Sequence, residues 1–509
     1  HHLLTYALLA ALLTLTASDY LRDTRPVPSS PAQPVAQGRF NYRVADVAVH
    51  NTIDIATLLP QAERPRHLFG NWYSIQGNGL TQNAVVTALG SVIVDIEPDY
   101  AIALDQPVHR DYTDGLQFFA TPNDPLIGQQ YTIGKLGLVD AWNVSTGQGV
   151  VIAIVDSGVE CSHPDLAGKC VPGRSFVDGT ISTEDDHGHG THVGGIAAAT
   201  GNNAVGIAGV GYGASLLPVK ALGANGGGYH SWIAEGITFA ADSGAKVINL
   251  SLGGTATSQT LEAALQYAVS RGALPVCASG NSGDATVNYP AGYKECLSVG
   301  ATTPNDVRAS FSSFGKVDIG APGEGILSTV RGGQYQAWNG TSMAAPVISG
   351  FAALIFARYP TYSPAQVRAL IENTADSIVG GNVGKGRANA RTALAGSPIP
   401  PPQPTAAPQP APTTASGQNA WVLEVEQRVN AERQKYGMTP FRIDSRVRQA
   451  EQGRTDWMRD KGCFAHHCPG EPENADRLKA LGYITINAQD NIGLGYNNPA
   501  HIVEGWMNS

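Results

Sequence analysis

Val151-Ile152-Ala153-Ile154-Val155-Asp156-Ser157-Gly158 is an apolar run that ends on a carboxylate and a glycine turn. With no polar alternation, such a run reads as a strand buried on both faces. Two more follow, Ala245 to Leu252 and Ala273 to Ala278, the second ending near Asn281. Between them, Ser231–Asp242 and Ser258–Ser270 carry helical spacing of apolar residues. Buried strands alternating with helices predict an α/β fold with a doubly wound, mostly parallel sheet. Open sheets of this kind place ligands at strand carboxyl ends, where Asp156 and Asn281 both fall.

The chain of 509 residues has room for about three domains. Hydrophobic residues at 42% and charged residues at 15% exclude a wholly disordered chain. A net charge of −9, from 42 acidic and 33 basic residues, leaves no polycationic face, so nucleic acid is not an expected partner. The apolar run Leu3 to Leu15 is too short to span a bilayer and ends in Ala17 and Ser18, as a secretory signal does. Residues 1–18 therefore read as a signal peptide lacking its first residues. No second run reaches spanning length. The mature chain is expected to be exported, with no membrane span.

Composition divides the remainder. Residues 19–39 are polar and Pro-rich and read as an unstructured leader. Residues 40–120 form a small segment with the alternating run Ser91-Val92-Ile93-Val94-Asp95-Ile96, and 121–396 hold the strand and helix pattern. Residues 397–418 form a linker, with eight prolines between Pro398 and Pro412. From 419 to 509, 23 of 91 residues are charged, against 52 of the preceding 418, which marks a separate domain. Six cysteines allow 15 connectivities. Proximity and an oxidising destination favour Cys161 with Cys170, Cys277 with Cys296, and Cys463 with Cys468.

Two further motifs join the strand that ends at Asp156. Asp186-His187-Gly188-His189-Gly190-Thr191-His192 puts a histidine at the start of a small-residue helix. Asn339-Gly340-Thr341-Ser342-Met343-Ala344-Ala345-Pro346 puts a serine at the start of a long apolar one, with Pro346 suited to a first turn. Each alone has an ordinary reading as a turn or cap residue. Together, an acid, a base and a hydroxyl beside a helix N-terminus are the parts of nucleophilic acyl transfer. Their order, Asp then His then Ser, is the known subtilisin order.

On these motifs residues 121–396 resemble the catalytic domain of subtilisin-like serine proteases, nearest the thermitase branch. The resemblance implies Asp156, His189 and Ser342 as the triad, with His187 and His192 structural. In Ala278-Ser279-Gly280-Asn281-Ser282-Gly283 it implies Asn281 as an oxyanion donor. It implies a peptide-binding edge at Ser251-Leu252-Gly253-Gly254. The pocket beside it would be lined by Ser251 to Gly253 and Ala278, Ser279 and Gly280, with Asn288 at its base. Those walls are small and uncharged, so medium or large uncharged side chains are expected there. The resemblance also implies structural Ca²⁺ held by Asp124, Asp165 and Asn203 with carbonyls of Thr200, Val205 and Ile207, an oxygen-only set suited to a hard cation. No organic cofactor is expected.

Val94-Asp95-Ile96-Glu97-Pro98-Asp99-Tyr100 resembles the end of the family's inhibitory propeptide, which implies a small α+β segment cut off by Ser342 within about 101–123. Residues 419–509 resemble the start of an α+β CAP-type domain of the cysteine-rich secretory protein superfamily, through Val429-Asn430-Ala431-Glu432-Arg433, Phe464-Ala465-His466, Asp490-Asn491-Ile492 and Gly505-Trp506-Met507-Asn508-Ser509. His466 matches that family's first cleft histidine, while Asp490 stands where Glu is usual. The expected protein is a secreted, extracellular bacterial endopeptidase, a monomer acting on polypeptides and inhibited by its own propeptide. A peptide-binding protein on a protease fold and an adhesin led by its CAP-like module are the rival readings.

Overall fold

The computed structural model describes residues 35–104, 108–109, 122–378 and 381–395. Expectations for the signal, the Pro-rich linker, the CAP-like domain and the Cys463–Cys468 pair lie outside those residues. The first strand, β1 (Val35–Val44), begins within the stretch read as unstructured leader. Pairing explains the difference, because the Val35 backbone lies opposite Tyr100 of a later strand. After β1 come two short helices, α1 (Val47–His50) and α2 (Ile55–Leu58). Then follow β2 (Arg66–Phe69), β3 (Trp72–Gln76), α3 (Gln82–Leu89) and β4 (Ile93–Ala103). Asp46, Asp54 and Thr81 each cap a helix with a side-chain oxygen. The strands pair antiparallel in the order β2-β3-β1-β4. One sheet face and α3 close on a small core that includes Tyr42, Ile75 and Val85.

The chain continues through β5 (Val108–His109), α4 (Tyr131–Leu136), α5 (Leu138–Trp142) and β6 (Val151–Asp156). Next come β7 (Arg174–Ser175), α6 (His189–Ala198), β8 (Ser215–Lys220), β9 (Gly227–Tyr229) and α7 (His230–Asp242). Then come β10 (Val247–Leu250), α8 (Gln259–Ser270), β11 (Leu274–Ala278), β12 (Leu297–Thr302) and β13 (Ile319–Pro322). Last are β14 (Ile326–Val330), β15 (Gln334–Asn339), α9 (Thr341–Arg358), α10 (Pro364–Asn373) and α11 (Ala390–Ala395).

Seven of these strands form a parallel sheet in the order β13-β12-β11-β10-β6-β8-β7. Alternate residues of each strand face opposite sides. Ile152 and Ile154 of β6 join one core with α6 and α9, while Ala153 and Val155 join the other with α7 and α8. Continuous burial on both faces is why these strands read as unbroken apolar runs. Strand order turns back between β6 and β10, so a crevice opens at their carboxyl ends. Cys161–Cys170 and Cys277–Cys296 are closed as disulfides. Among the described residues α9 alone is long and apolar enough to cross a membrane, and it is the buried central helix of the larger core.

Candidate active site

Asp156 is the last residue of β6 and fully buried. Its two carboxylate oxygens lie 2.8 and 2.9 Å from Nδ1 of His189, the first residue of α6. The Ser157 N–H also donates to Asp156 Oδ1 at 2.7 Å, so the carboxylate is fixed from two sides. Gly188, with φ of 107°, turns the chain into α6. That turn is tied by Asp185, which the sequence reading passed over. Its Oδ1 accepts from Ser157 Oγ and the Gly188 N–H, and its Oδ2 from the Thr191 N–H and Oγ1. An Asp shortly ahead of a helix start was the available signal.

His189 lies on a wall formed by Trp338, the ring centroids being 6.5 Å apart. His192 stacks on the same indole at 4.2 Å, and its Nε2 pairs with the Gln336 carbonyl. His187 is 6.3 Å from His189, and burial, followed by the nearby His189, holds its pKa below the usual histidine range. Of the three histidines, His189 meets Asp156.

Ser342 is the second residue of α9. Its Oγ donates to the Ser251 carbonyl at 3.2 Å. Asn281 follows the end of β11, and its Oδ1 accepts from both the N–H and Oγ1 of Thr341, each at 2.9 Å. The carboxamide orientation is thereby set, with its NH₂ end turned away from Thr341. Pro346 falls in the second turn of α9 rather than the first. It is tolerated there because the Ser342 carbonyl, which a residue-346 N–H would have served, takes a bond from Ser251 Oγ at 2.8 Å.

A cleft surrounds Asn281 and Ser342, lined by Ser251, Leu252, Gly253, Gly254, Ala278, Gly280 and Asn288. A side chain at Gly280 would begin 2.0 Å from Asn288 Nδ2, and its φ is 102°, so only glycine fits that wall. Ser279 departs from expectation. Its hydroxyl turns from the cleft to the Ser313 carbonyl, while Asn288 Nδ2 holds its own carbonyl. Ala103, the last residue of β4, and Leu104 also line the cleft.

Those two residues arrive on a strand. β4 pairs antiparallel with β9, Ala101 opposite Tyr229 and Ala103 opposite Gly227, and the Leu104 N–H donates to the Gly226 carbonyl. The expected edge at Ser251–Gly254 is thus not the one that holds this segment. Gly254 exchanges backbone bonds with Tyr289 instead. Beyond the cleft, β5 pairs with β15, Val108 opposite Asn339. Upstream in β4, Glu97 accepts from the Gln259 and Thr260 N–H groups at the start of α8, and Asp99 accepts from the Ser231 N–H at the start of α7. Both carboxylates sit where helix N-termini favour negative charge.

Away from the cleft, Asp124 and Asp165 are buried beside the 200–207 loop. Asp124 accepts from the Asn202 and Asn203 N–H groups, and Asp165 from Asn203 Nδ2, the Ile207 N–H and the Tyr335 hydroxyl. Burial pushes the Asp165 carboxyl above its usual range, and the charge of Asp124 adds to the rise.

A strand-end carboxylate bonded to a helix-borne imidazole, and a serine at a helix start beside Asn281, are the parts of a serine hydrolase of the Asp, His, Ser class. Residues 147–409 match the Subtilase family, and 426–509 match the Cysteine-rich secretory protein family. Thermitase of Thermoactinomyces vulgaris is 47% identical over 54% of this chain and 99% of its own length. Subtilisin Savinase of Lederbergia lenta is 48% identical over 49% of this chain and 91% of its own. A solved protease from Pseudoalteromonas arctica PAMC 21717 superposes with a TM-score of 0.52 at 33% identity, covering 54% of this chain and 99% of that one. The chain belongs to the subtilase family and is a subtilisin-like serine endopeptidase that carries a CAP-family region.

Proposed function

We propose that the protein is a secreted, calcium-stabilised endopeptidase made as a zymogen, with Asp156, His189 and Ser342 as its triad. Ser342 Oγ attacks the peptide carbonyl as His189 takes its proton, and His189 then gives that proton to the leaving amine. The bond between Asp156 and His189 Nδ1 carries this reading. It fixes the tautomer that leaves Nε2 as the base and stabilises the imidazolium. The Asn281 amide and the Ser342 N–H stabilise the oxyanion. Water then releases the acyl group from Ser342 by the same steps in reverse.

Residues 35–104 act as the inhibitory propeptide. β4 occupies β9 as an added strand, the mode in which a polypeptide substrate would bind. The bond to be cut lies between Leu104, beside the cleft, and Val108, already paired with β15. The domain order proposed is signal, leader, propeptide, catalytic unit to about 396, linker, then CAP-like module, in an extracellular protein. The donor set beside the 200–207 loop fits Ca²⁺, because two buried carboxylates there oppose each other's charge. Asp124, Asp165 and Asn203, with carbonyls of Thr200, Val205 and Ile207, would hold the ion, which supplies charge neutralisation and a loop crosslink.

Masses of the parent and Ser342→Ala chains after incubation with Ca²⁺ test the reading. The parent should lose its N-terminal part by a cut between 104 and 108 and then digest a denatured protein. The variant should do neither. A parent that stays whole and inert while folded would overturn the proposal.

A further inference from the structure

We propose that Asn249 is a positioning residue for the reaction, acting through Ser251 on the peptide that carries the nucleophile. The proposal rests on the reading of Ser342 as that nucleophile. It begins with the missing backbone bond in α9. Pro346 has no N–H, so the Ser342 carbonyl has no helical donor four residues on. A carbonyl left unserved in a packed interior is costly.

Ser251 Oγ serves it at 2.8 Å. The carbonyl can only accept, so the single hydroxyl proton of Ser251 is committed to it. Ser251 Oγ must then accept from elsewhere, and Asn249 Nδ2 donates at 2.9 Å. Asn249 Oδ1 in turn accepts from Ser349 Oγ at 2.9 Å, the shorter of that hydroxyl's two contacts, the Ala345 carbonyl lying at 3.2 Å. The donor direction therefore runs Ser349 to Asn249 to Ser251 to the Ser342 carbonyl. Ser349 belongs to α9 as Ser342 does, so the path leaves the helix, crosses the end of β10 and returns. Asn249, Ser251 and Ser349 are all fully buried.

Asn249 and Ser349 are not among the residues lining the cleft, so neither has the place of a substrate contact. Their effect falls on the Ser342 peptide, whose tilt aims both Oγ and the N–H that serves the oxyanion. Asn is suited to the central place because one end of a carboxamide donates while the other accepts. Alanine there releases the Ser251 rotor and leaves the Ser342 carbonyl to fluctuate.

The test uses full-length chains that have processed themselves, with active sites counted by stoichiometric uptake of a sulfonyl fluoride. In Asn249→Ala, kcat per labelled site should fall on the order of 10-fold with KM within about twofold, as expected when transition-state geometry alone is lost. Adding Pro346→Ala to Asn249→Ala restores a helical N–H to the Ser342 carbonyl and should return about threefold or more of kcat, a recovery that a loss of packing would not give. Full kcat per site in Asn249→Ala, a loss confined to KM, or no recovery in the double variant overturns the proposal. Should Asn249→Ala fail to fold, Ser349→Ala keeps the carboxamide but frees its rotation, and about a threefold loss of kcat is expected, with parental kcat overturning the proposal. Failure of the nucleophile reading would show separately, as a parent that takes up no label.

Discussion

The unit at 35–104 and the unit from 122 to 395 are both sheets with helices, yet they hold themselves together differently. The larger is closed on both faces of its sheet, with separate cores around α9 and around α7 and α8. The smaller has one core of ten residues, few for an independent fold. Its last strand contributes elsewhere. Ile102 is buried in the larger unit's core, and Glu97 and Asp99 meet the N-termini of α8 and α7. Arg66 adds an ion pair to Glu235 of α7. The smaller unit is thus completed by the surface it covers, while the larger has two cores largely of its own.

If that division is right, chemistry and docking should be separable by mutation. The largest effect is expected from Asn281→Ala, which should lower turnover by about 10²–10³. Binding of added 35–104 segment to the processed enzyme, measured as inhibition of its residual activity, should not change. A parallel loss of both would break the comparison.

The reverse case comes next. Asp99→Ala should weaken inhibition of the processed enzyme by added segment roughly 10-fold, as loss of a helix-terminal anion costs about 1–2 kcal/mol. Glu97→Ala should do the same. Turnover without the segment would stay as it was, because neither residue remains in the processed enzyme.

The smallest effect concerns pH. Burial raises the Glu235 carboxyl to about 7, although Arg66 pulls it down. A group raised in the covered state favours that state below its ordinary value near 4.5, and the benefit is lost as pH rises through about 7. Segment inhibition should therefore weaken several-fold between about pH 5 and pH 8. Glu235→Gln should flatten that slope, and an unchanged slope would assign the dependence to other groups.

Much of this was legible because burial on two faces leaves a mark in sequence. β6, β10 and β11 are apolar runs, and the residues after β10 and β11 line the cleft. Other features left none. Gly227-Gly228-Tyr229 has no period, and its role as an edge strand depends on β4 lying beside it. Asn249 interrupts an apolar run, but its significance depends on Ser349, 100 residues away. Trp338, the wall beneath His189, is the one buried residue of β15, but nothing local in Gln334 to Asn339 tells which helix it meets. Pro346 read as a first-turn residue because nothing local announces a side chain that replaces its missing bond.

The pairing of β4 with β9 and of β5 with β15 implies, on the proposed zymogen reading, a reaction order. A serine that cuts within its own chain works at a rate independent of dilution, so the first cut should follow single-exponential kinetics at any protein concentration. After it, the new ends belong to different strands, one on β9 and one on β15, and leave independently. Activity then waits on dissociation of the β4 side, and each molecule so freed can attack propeptides still bound to others. Cleavage would be first order, while the appearance of activity would show a lag followed by acceleration that steepens with concentration.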